Sequence, residues 1–185
     1  MTVEEYFELE KESEIRHEYY NGEIYAMAGT TLNHNDIVDN VRSFLKGFFQ
    51  PRGCRVFAES VKVKASNIYY PYPDVIVTCA PVDISGTYVV KHPTILVEVI
   101  SKSSESRDRG FKLKHYRAIP SLQYYLLVSQ LEYSVDMYSR LEGNDLWGYQ
   151  SFEGINDAVR FDAFNFEMSL KAIYENIEFE PEIVQ

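Results

Sequence analysis

The chain has 185 residues, 45% of them hydrophobic and 25% charged, so it can bury a sizeable core without metal or disulfide staples. Its 18 basic and 28 acidic side chains leave a net charge of −10, which argues against broad non-specific nucleic-acid binding but leaves room for a local basic site. No apolar run approaches the roughly 18 residues of a membrane span, no signal-peptide pattern opens the sequence, and Cys54 and Cys79 fit no zinc spacing, so the expectation is a soluble, cytoplasmic protein with free, packed thiols.

In chain order, "TVEEYFELEKE" predicts a helix, with Thr2 and Glu5 at capping-box spacing and Val3, Tyr6 and Phe7 on one side. "HEYYNGEIYAMAG" predicts a hairpin turning at Asn21-Gly22, a pair suited to positive φ at both turn positions. In "NHNDIVDNVRSFLKGFFQP", Ile37, Val41, Phe44, Leu45 and Phe48 repeat at helical spacing up to Pro51. "CRVFAESVKVKA" alternates as one strand, and "YPDVIVTC" and "TILVEVI" are continuous apolar strands of the kind covered on both faces. "RDRGFKLKHYRAIP" predicts a helix stopped by Pro120; "LQYYLLVS" and "EYSVDMYSR" predict strands joined through Gln130-Leu131. "SLKAIYENI" predicts a closing helix capped by Ser169. Strand 94–100, the following helix and strand 122–129 form a βαβ unit. With no repeat and no linker, the order predicts one α/β (α+β) domain over 1–185, a mixed sheet flanked by helices.

One carboxylate, Glu98, stands inside the apolar run "TILVEVI". Alternation puts it on a strand face with Leu96 and Ile100. A buried carboxylate must be paired, protonated or metal-bound. Asp74 has a similar setting after Pro73, and neighbouring strands would bring the two together; two close carboxylates repel unless a cation lies between them, and Mg²⁺ takes one or two carboxylates with several waters. Residues 102–117 then carry six basic side chains against two acidic ones, a net +4 that leaves −14 for the rest. A basic segment beside buried carboxylates suits an anionic substrate held over a metal.

Pro73-Asp74 followed by Glu98-Val99-Ile100 resembles the PD-(D/E)xK nuclease superfamily. The ordered set "PD", "EVIS-S", "RDRG-K---Y" and "P-L-YYLLV" is similar to a more specific group, the small bacterial "putative restriction endonucleases", over most of the chain. The superfamily's lysine, two residues after the Glu, is replaced here by Ile100; in the resembling group it comes from the following helix, where Lys112 matches and Lys102 and Lys114 are substitutes. The resemblance implies a restriction-endonuclease-like fold and Mg²⁺-dependent hydrolysis of DNA, with Mn²⁺ as a substitute ion. Asp74, Glu98 and the Val99 carbonyl would hold the metal, Lys112 would steady the attacking hydroxide or developing charge, and Arg107, Arg109 and Lys102 would contact phosphates. His34 and Glu18 are further candidates. The implied partners are DNA and a second copy, as homodimer or higher homo-oligomer.

Other readings stand beside these. Glu98 can be the ion-pair partner of Lys112 or Arg107, Asp74 a turn residue, His34 a helix-start histidine, and Lys112 half of a surface pair with Asp108. Ile100 in the lysine slot also suits a non-catalytic DNA- or protein-binding module, and the same site chemistry suits a metal hydrolase of RNA or nucleotides.

Overall fold

The computed structural model describes residues 1–141 and 145–179. Helix α1 (Val3–Glu12) opens on the Thr2/Glu5 capping box. Strands β1 (His17–Tyr20) and β2 (Glu23–Ala26) pair antiparallel around Asn21 and Gly22, at φ 48° and 92°, the backbone that the Asn-Gly pair supplies at least cost. Helix α2 (Leu32–Phe49) is capped by the Thr31 hydroxyl and buries Ile37, Val38, Val41, Leu45 and Phe49. Then follow β3 (Arg55–Ala58), β4 (Lys62–Val63), β5 (Tyr69–Tyr70), β6 (Val75–Thr78), the short α3 (Pro81–Ile84), β7 (Val89–Val90) and β8 (Ile95–Ile100). A π-helical turn over Arg107–Lys112 leads into α4 (Leu113–Arg117), and β9 (Tyr124–Ser129) and β10 (Val135–Arg140) come next. The chain closes with β11 (Trp147–Phe152), β12 (Ala158–Phe161), β13 (Phe166–Ser169) and α5 (Leu170–Ile173), the last capped by the Ser169 side chain.

The central sheet runs β11-β10-β9-β8-β6-β3. Only β8 and β9 pair in parallel within it, and the π-turn and α4 make their crossover, so the expected βαβ unit is present. Ile95, Val97 and Val99 face a core shared with α2, α5 and the β12-β13 hairpin; Leu96 and Ile100 face a second core with Tyr69, Tyr116 and Leu122. Covering on both faces is what lets β8 be apolar throughout, apart from Glu98. The β2-β1-β5 sheet lies on the Leu96 side.

Two expectations need correction. The strand expected over 54–65 breaks at Glu59, which has φ 53°. Glu59 N–H still donates to the Asp74 carbonyl at 2.9 Å, but its left-handed backbone and the tight turn that follows, in which Ser60 and Val61 donate to the Ala58 and Glu59 carbonyls at 2.9 Å each, carry the chain out of the ladder, and β4 pairs with β7 instead. The cysteines are not free thiols either: Cys54 and Cys79 are disulfide-bonded, with Cα atoms 4.2 Å apart. Each lies one step beyond the Arg55↔Thr78 cross-strand pair, so the antiparallel register sets them face to face. The thiol-based argument for a reducing compartment goes with that correction. No helix among the described residues is long and apolar enough to cross a membrane.

A closed polar network ties α1 to the β1-β2-β5 layer. Glu10 is 4% exposed. Its Oε1 accepts from His17 N–H at 3.1 Å and lies 3.0 Å from His17 Nδ1; its Oε2 accepts from the Tyr72 hydroxyl and lies 3.2 Å from Lys62 Nζ. Burial alone would raise the Glu10 carboxyl, but the Tyr72 and His17 hydrogen bonds and the Lys62 ammonium outweigh it and hold it below the ordinary glutamate value of 4.5. A carboxyl lowered on folding stabilises the fold above its unfolded value, and that contribution is lost as pH falls through the lower folded value. Urea midpoints measured from neutral pH downward are therefore expected to hold until about pH 4.5 and then fall, and Glu10→Gln is expected to flatten that fall; an unchanged acid limb in the variant counts against the network. Reducing the disulfide, which spans 25 residues, is expected to cost about 3 kcal/mol in urea titrations run with and without dithiol.

Candidate active site

The site forms where β6 begins and β8 runs past it. Val75 pairs with Val97, so Asp74, one residue before β6, lies beside Glu98 and Val99. Asp74 shares a sheet face with Ile76, and Glu98 with Leu96 and Ile100; all belong to the side covered by α4. Val99 donates its N–H to Asp74 Oδ2 at 2.6 Å. In a strand, one residue's N–H and C=O lie on the same edge, so the Val99 carbonyl also points past the end of β6. From the other side of the sheet, the capped first turn of α2 brings His34 Nε2 to 3.4 Å from Asp74 Oδ2.

Glu98 is 3% exposed and both its oxygens are engaged: Oε1 accepts from the Tyr116 hydroxyl at 2.7 Å, and Oε2 lies 2.9 Å from Lys112 Nζ. The ammonium also lies 3.1 Å from Asp108 Oδ1 and 3.8 Å from Glu18 Oε1. Glu18 in turn pairs with Arg107. Asp108, Lys112 and Tyr116 recur at four-residue steps through the π-turn and α4, so one stripe of the crossover faces Glu98. π-helical turns are frequent at functional sites.

The electrostatics follow from burial. Burial pushes the Glu98 carboxyl well up; the Lys112 ammonium opposes this, and Asp74 and Asp108 add to it. Lys112 is held protonated: burial lowers it, but Glu98, Glu18 and Asp108 together raise it well above an ordinary lysine. His34 is likewise raised, because the Asp74 hydrogen bond and charge outweigh its burial.

Among the described residues, the buried side-chain polar atoms without a hydrogen-bond partner are His34 Nδ1, Tyr69 Oη and Asp108 Oδ1, the last at ion-pair distance from Lys112 without hydrogen-bond geometry. All three border this cluster, since the Tyr69 hydroxyl feels the charges of Glu18, Lys112 and Glu98. Orphaned buried polar atoms concentrate where water, an ion or catalysis completes the bonding. No group of three or more His, Cys, Asp and Glu side chains among the described residues forms a metal cage. Two carboxylates and a carbonyl with open positions for water suit Mg²⁺, which dehydrates reluctantly and takes few protein ligands. The donor set therefore fits that ion.

The structure thus brings together Asp74, Glu98, Val99, Lys112, His34 and Glu18. Arg107 joins through Glu18, while Arg109 is turned to Asp136 and Glu105. Lys102 and Lys114 are exposed and join none of the cluster's hydrogen bonds or ion pairs. Ile100, in the usual lysine slot, is buried in the core with Leu127 and Tyr116. The alternative reading of Asp108 and Lys112 as a surface pair does not hold: at 2% exposed, Asp108 is a buried member of the cluster. Its spacing from Lys112 was visible, but not the cover that the β1-β5 layer provides. Tyr116 was missed for the same reason.

The family described as "Uma2: Putative restriction endonuclease" matches residues 3–172. An uncharacterized protein of Synechocystis sp. (slr1290) is 32% identical over 180 residues, 97% of this chain and 94% of that protein. A second (sll1609) is 30% identical over 164 residues, 87% of this chain and 92% of that protein. The fold is similar to that in the crystal structure of a putative nuclease belonging to DUF820 from Anabaena variabilis, with TM-score 0.74, 19% identity and coverage of 94% of this chain and 97% of that one. The mixed sheet flanked by helices is thus the fold of that nuclease-like neighbour.

Removing the ammonium alone leaves buried carboxylates unpaired. Lys112→Met is expected to cost about 3–5 kcal/mol of unfolding free energy, and Lys102→Met less than about 0.5, in paired denaturant titrations. Equal small effects would mean that the buried carboxylates do not depend on Lys112.

Proposed function

The chain belongs to the Uma2 family of putative restriction endonucleases, and from that premise we propose that it is a Mg²⁺-dependent endonuclease hydrolysing DNA phosphodiester bonds. The observation that carries the reading is the Asp74–Glu98 pair on one sheet face, with a buried lysine delivered onto it by the crossover helix. Asp74, Glu98 and the Val99 carbonyl would hold the ion, with Mn²⁺ as a substitute. Once bound, the ion supplies a water of lowered pKa and neutralises charge on the phosphoryl oxygens.

The chain's own groups do the rest. Lys112 donates hydrogen bonds to the charge that develops on the phosphate. His34, on the far side of Asp74, fixes that carboxylate through Nε2 and has Nδ1 free to hold a proton. Arg107 and Arg109 keep their guanidinium groups partly exposed while anchored to Glu18 and Asp136, so they contact phosphates as half-neutralised charges and position the duplex without reading it. With so much of the basic charge paired internally, intrinsic DNA affinity is weak and salt-sensitive. Cutting both strands takes two copies, and a DNA substrate sets the work in the cytoplasm.

Ile100 in the lysine slot, together with an ammonium already held by carboxylates, favours a second reading as a non-catalytic binding module. Nicking of supercoiled plasmid separates the two. Wild type is expected to nick with Mg²⁺ or Mn²⁺ and not in EDTA. Asp74→Ala and Glu98→Ala are expected to abolish nicking, and Lys112→Ala to lower it about 10²–10³-fold, with folding checked by circular dichroism. Full activity in EDTA overturns metal dependence; folded wild type that binds but never nicks DNA favours the module; cleavage of RNA alone moves the substrate.

A further inference from the structure

Resting on the metal-dependent reading above, we propose that Asp108 is a positioning residue, the second seat to which the Lys112 ammonium withdraws when Glu98 turns to a divalent cation.

In the structure the ammonium lies 2.9 Å from Glu98, the carboxylate that would hold the cation. A divalent cation and an ammonium cannot share one buried carboxylate without strong repulsion, because the low dielectric of the interior magnifies it. Lys112 must therefore shift without leaving the site that needs it. Two carboxylates lie within its reach. Glu18, at 3.8 Å, is already neutralised by Arg107. Asp108, at 3.1 Å, has no other ion-pair partner among the described residues, and its Oδ1 is buried without a hydrogen bond. Asp108 is thus the carboxylate, already touching the ammonium, that no other cation claims.

The seat also travels with its occupant. Asp108 and Lys112 stand four residues apart in one π-helical turn, so their spacing is fixed by the backbone whatever happens at the sheet. The three rotatable donors on a flexible four-carbon stem let the ammonium pivot from Glu98 to Asp108 by side-chain torsion alone. Tyr116 remains on the other oxygen of Glu98 and keeps that carboxylate oriented during the exchange.

The test is calorimetric titration of the DNA-free full chain with Mn²⁺, in wild type, Asp108→Asn, Lys112→Met and the double variant. Without its second seat the lysine competes for Glu98, so Asp108→Asn is expected to weaken Mn²⁺ binding about 10–100-fold. Lys112→Met removes the competitor, so in that background Asp108→Asn is expected to change affinity by less than about twofold. An equal loss in both backgrounds overturns the proposal, because Asp108 would then act on the ion directly. No loss in the single variant overturns it as well. Wild type that binds no Mn²⁺ overturns the metal reading itself, and with it this one. Where a variant fails to fold, the ¹⁵Nζ resonance of Lys112 in wild type decides: it is expected to shift at saturating Mg²⁺, and an unmoved resonance overturns the exchange.

Discussion

Glu98 sits inside a strand buried along its whole length, with apolar neighbours before and after it and cores on both faces. An unpaired carboxylate there would cost several kcal/mol, and the elements nearest to it are arranged to remove that cost. The crossover from β8 to β9 supplies Lys112 and Tyr116, the β1 strand supplies Glu18, and the start of β6 brings a second carboxylate rather than a second cation. That last choice is the informative one. A fold that only needed Glu98 neutralised would not set Asp74 beside it, where it adds to the cost of ionising Glu98.

The charge pattern of the sequence takes on a different meaning once the partners are known. The +4 segment at 102–117 looked like a surface for anions, yet its side chains divide into two groups. Lys112, Arg107 and Arg109 are spent on Glu18, Glu98, Asp108, Glu105 and Asp136, whereas Lys102, Lys114 and Arg117 remain exposed. Much of the basic charge is therefore structural neutralisation of a buried acidic site.

What was legible in the sequence is what depends on neighbours in the chain. The Thr2/Glu5 box, the Asn21-Gly22 turn, the Ser169 cap and the side of β8 that carries Glu98 are all fixed by local chemistry or by two-residue alternation. The features that escaped depend on neighbours in space. Residues 54–65 do not form one strand because the chain turns at Glu59, with φ 53°, and Lys62–Val63 pairs with Val89–Val90 instead. Cys54 meets Cys79 only through the β3-β6 register. The strands after residue 145 gave little alternation to read: β11 is half-buried to exposed along its length, and β12 and β13 turn only a few side chains, Val159, Phe161 and Met168 among them, into the core. Asp108 had the right spacing to be seen, but its burial comes from a layer built by residues some ninety positions earlier, as the 89-residue separation of Arg107 from Glu18 marks.

The same chain also contains its own comparison for judging the Glu98 cluster. The Glu10 network has a buried carboxylate, a buried lysine, a histidine and a tyrosine hydroxyl, nearly the same groups that surround Glu98. Every one of its buried polar side-chain atoms has a partner, and the net effect on Glu10 is to lower its carboxyl, as expected of an ion pair that serves the fold. Around Glu98 the balance is reversed: the carboxyl is raised, a second carboxylate adds to the repulsion, and the orphaned buried polar atoms all lie there. Folding was able to complete the first network from ordinary side chains, so the incompleteness of the second is not a limit of what this chain can pack. Buried polar clusters left partly satisfied in an otherwise well-bonded fold are places where something from solution completes the bonding. That contrast, drawn between two networks of matching composition in one molecule, separates the candidate site from a merely structural ion pair more sharply than the presence of the carboxylates does.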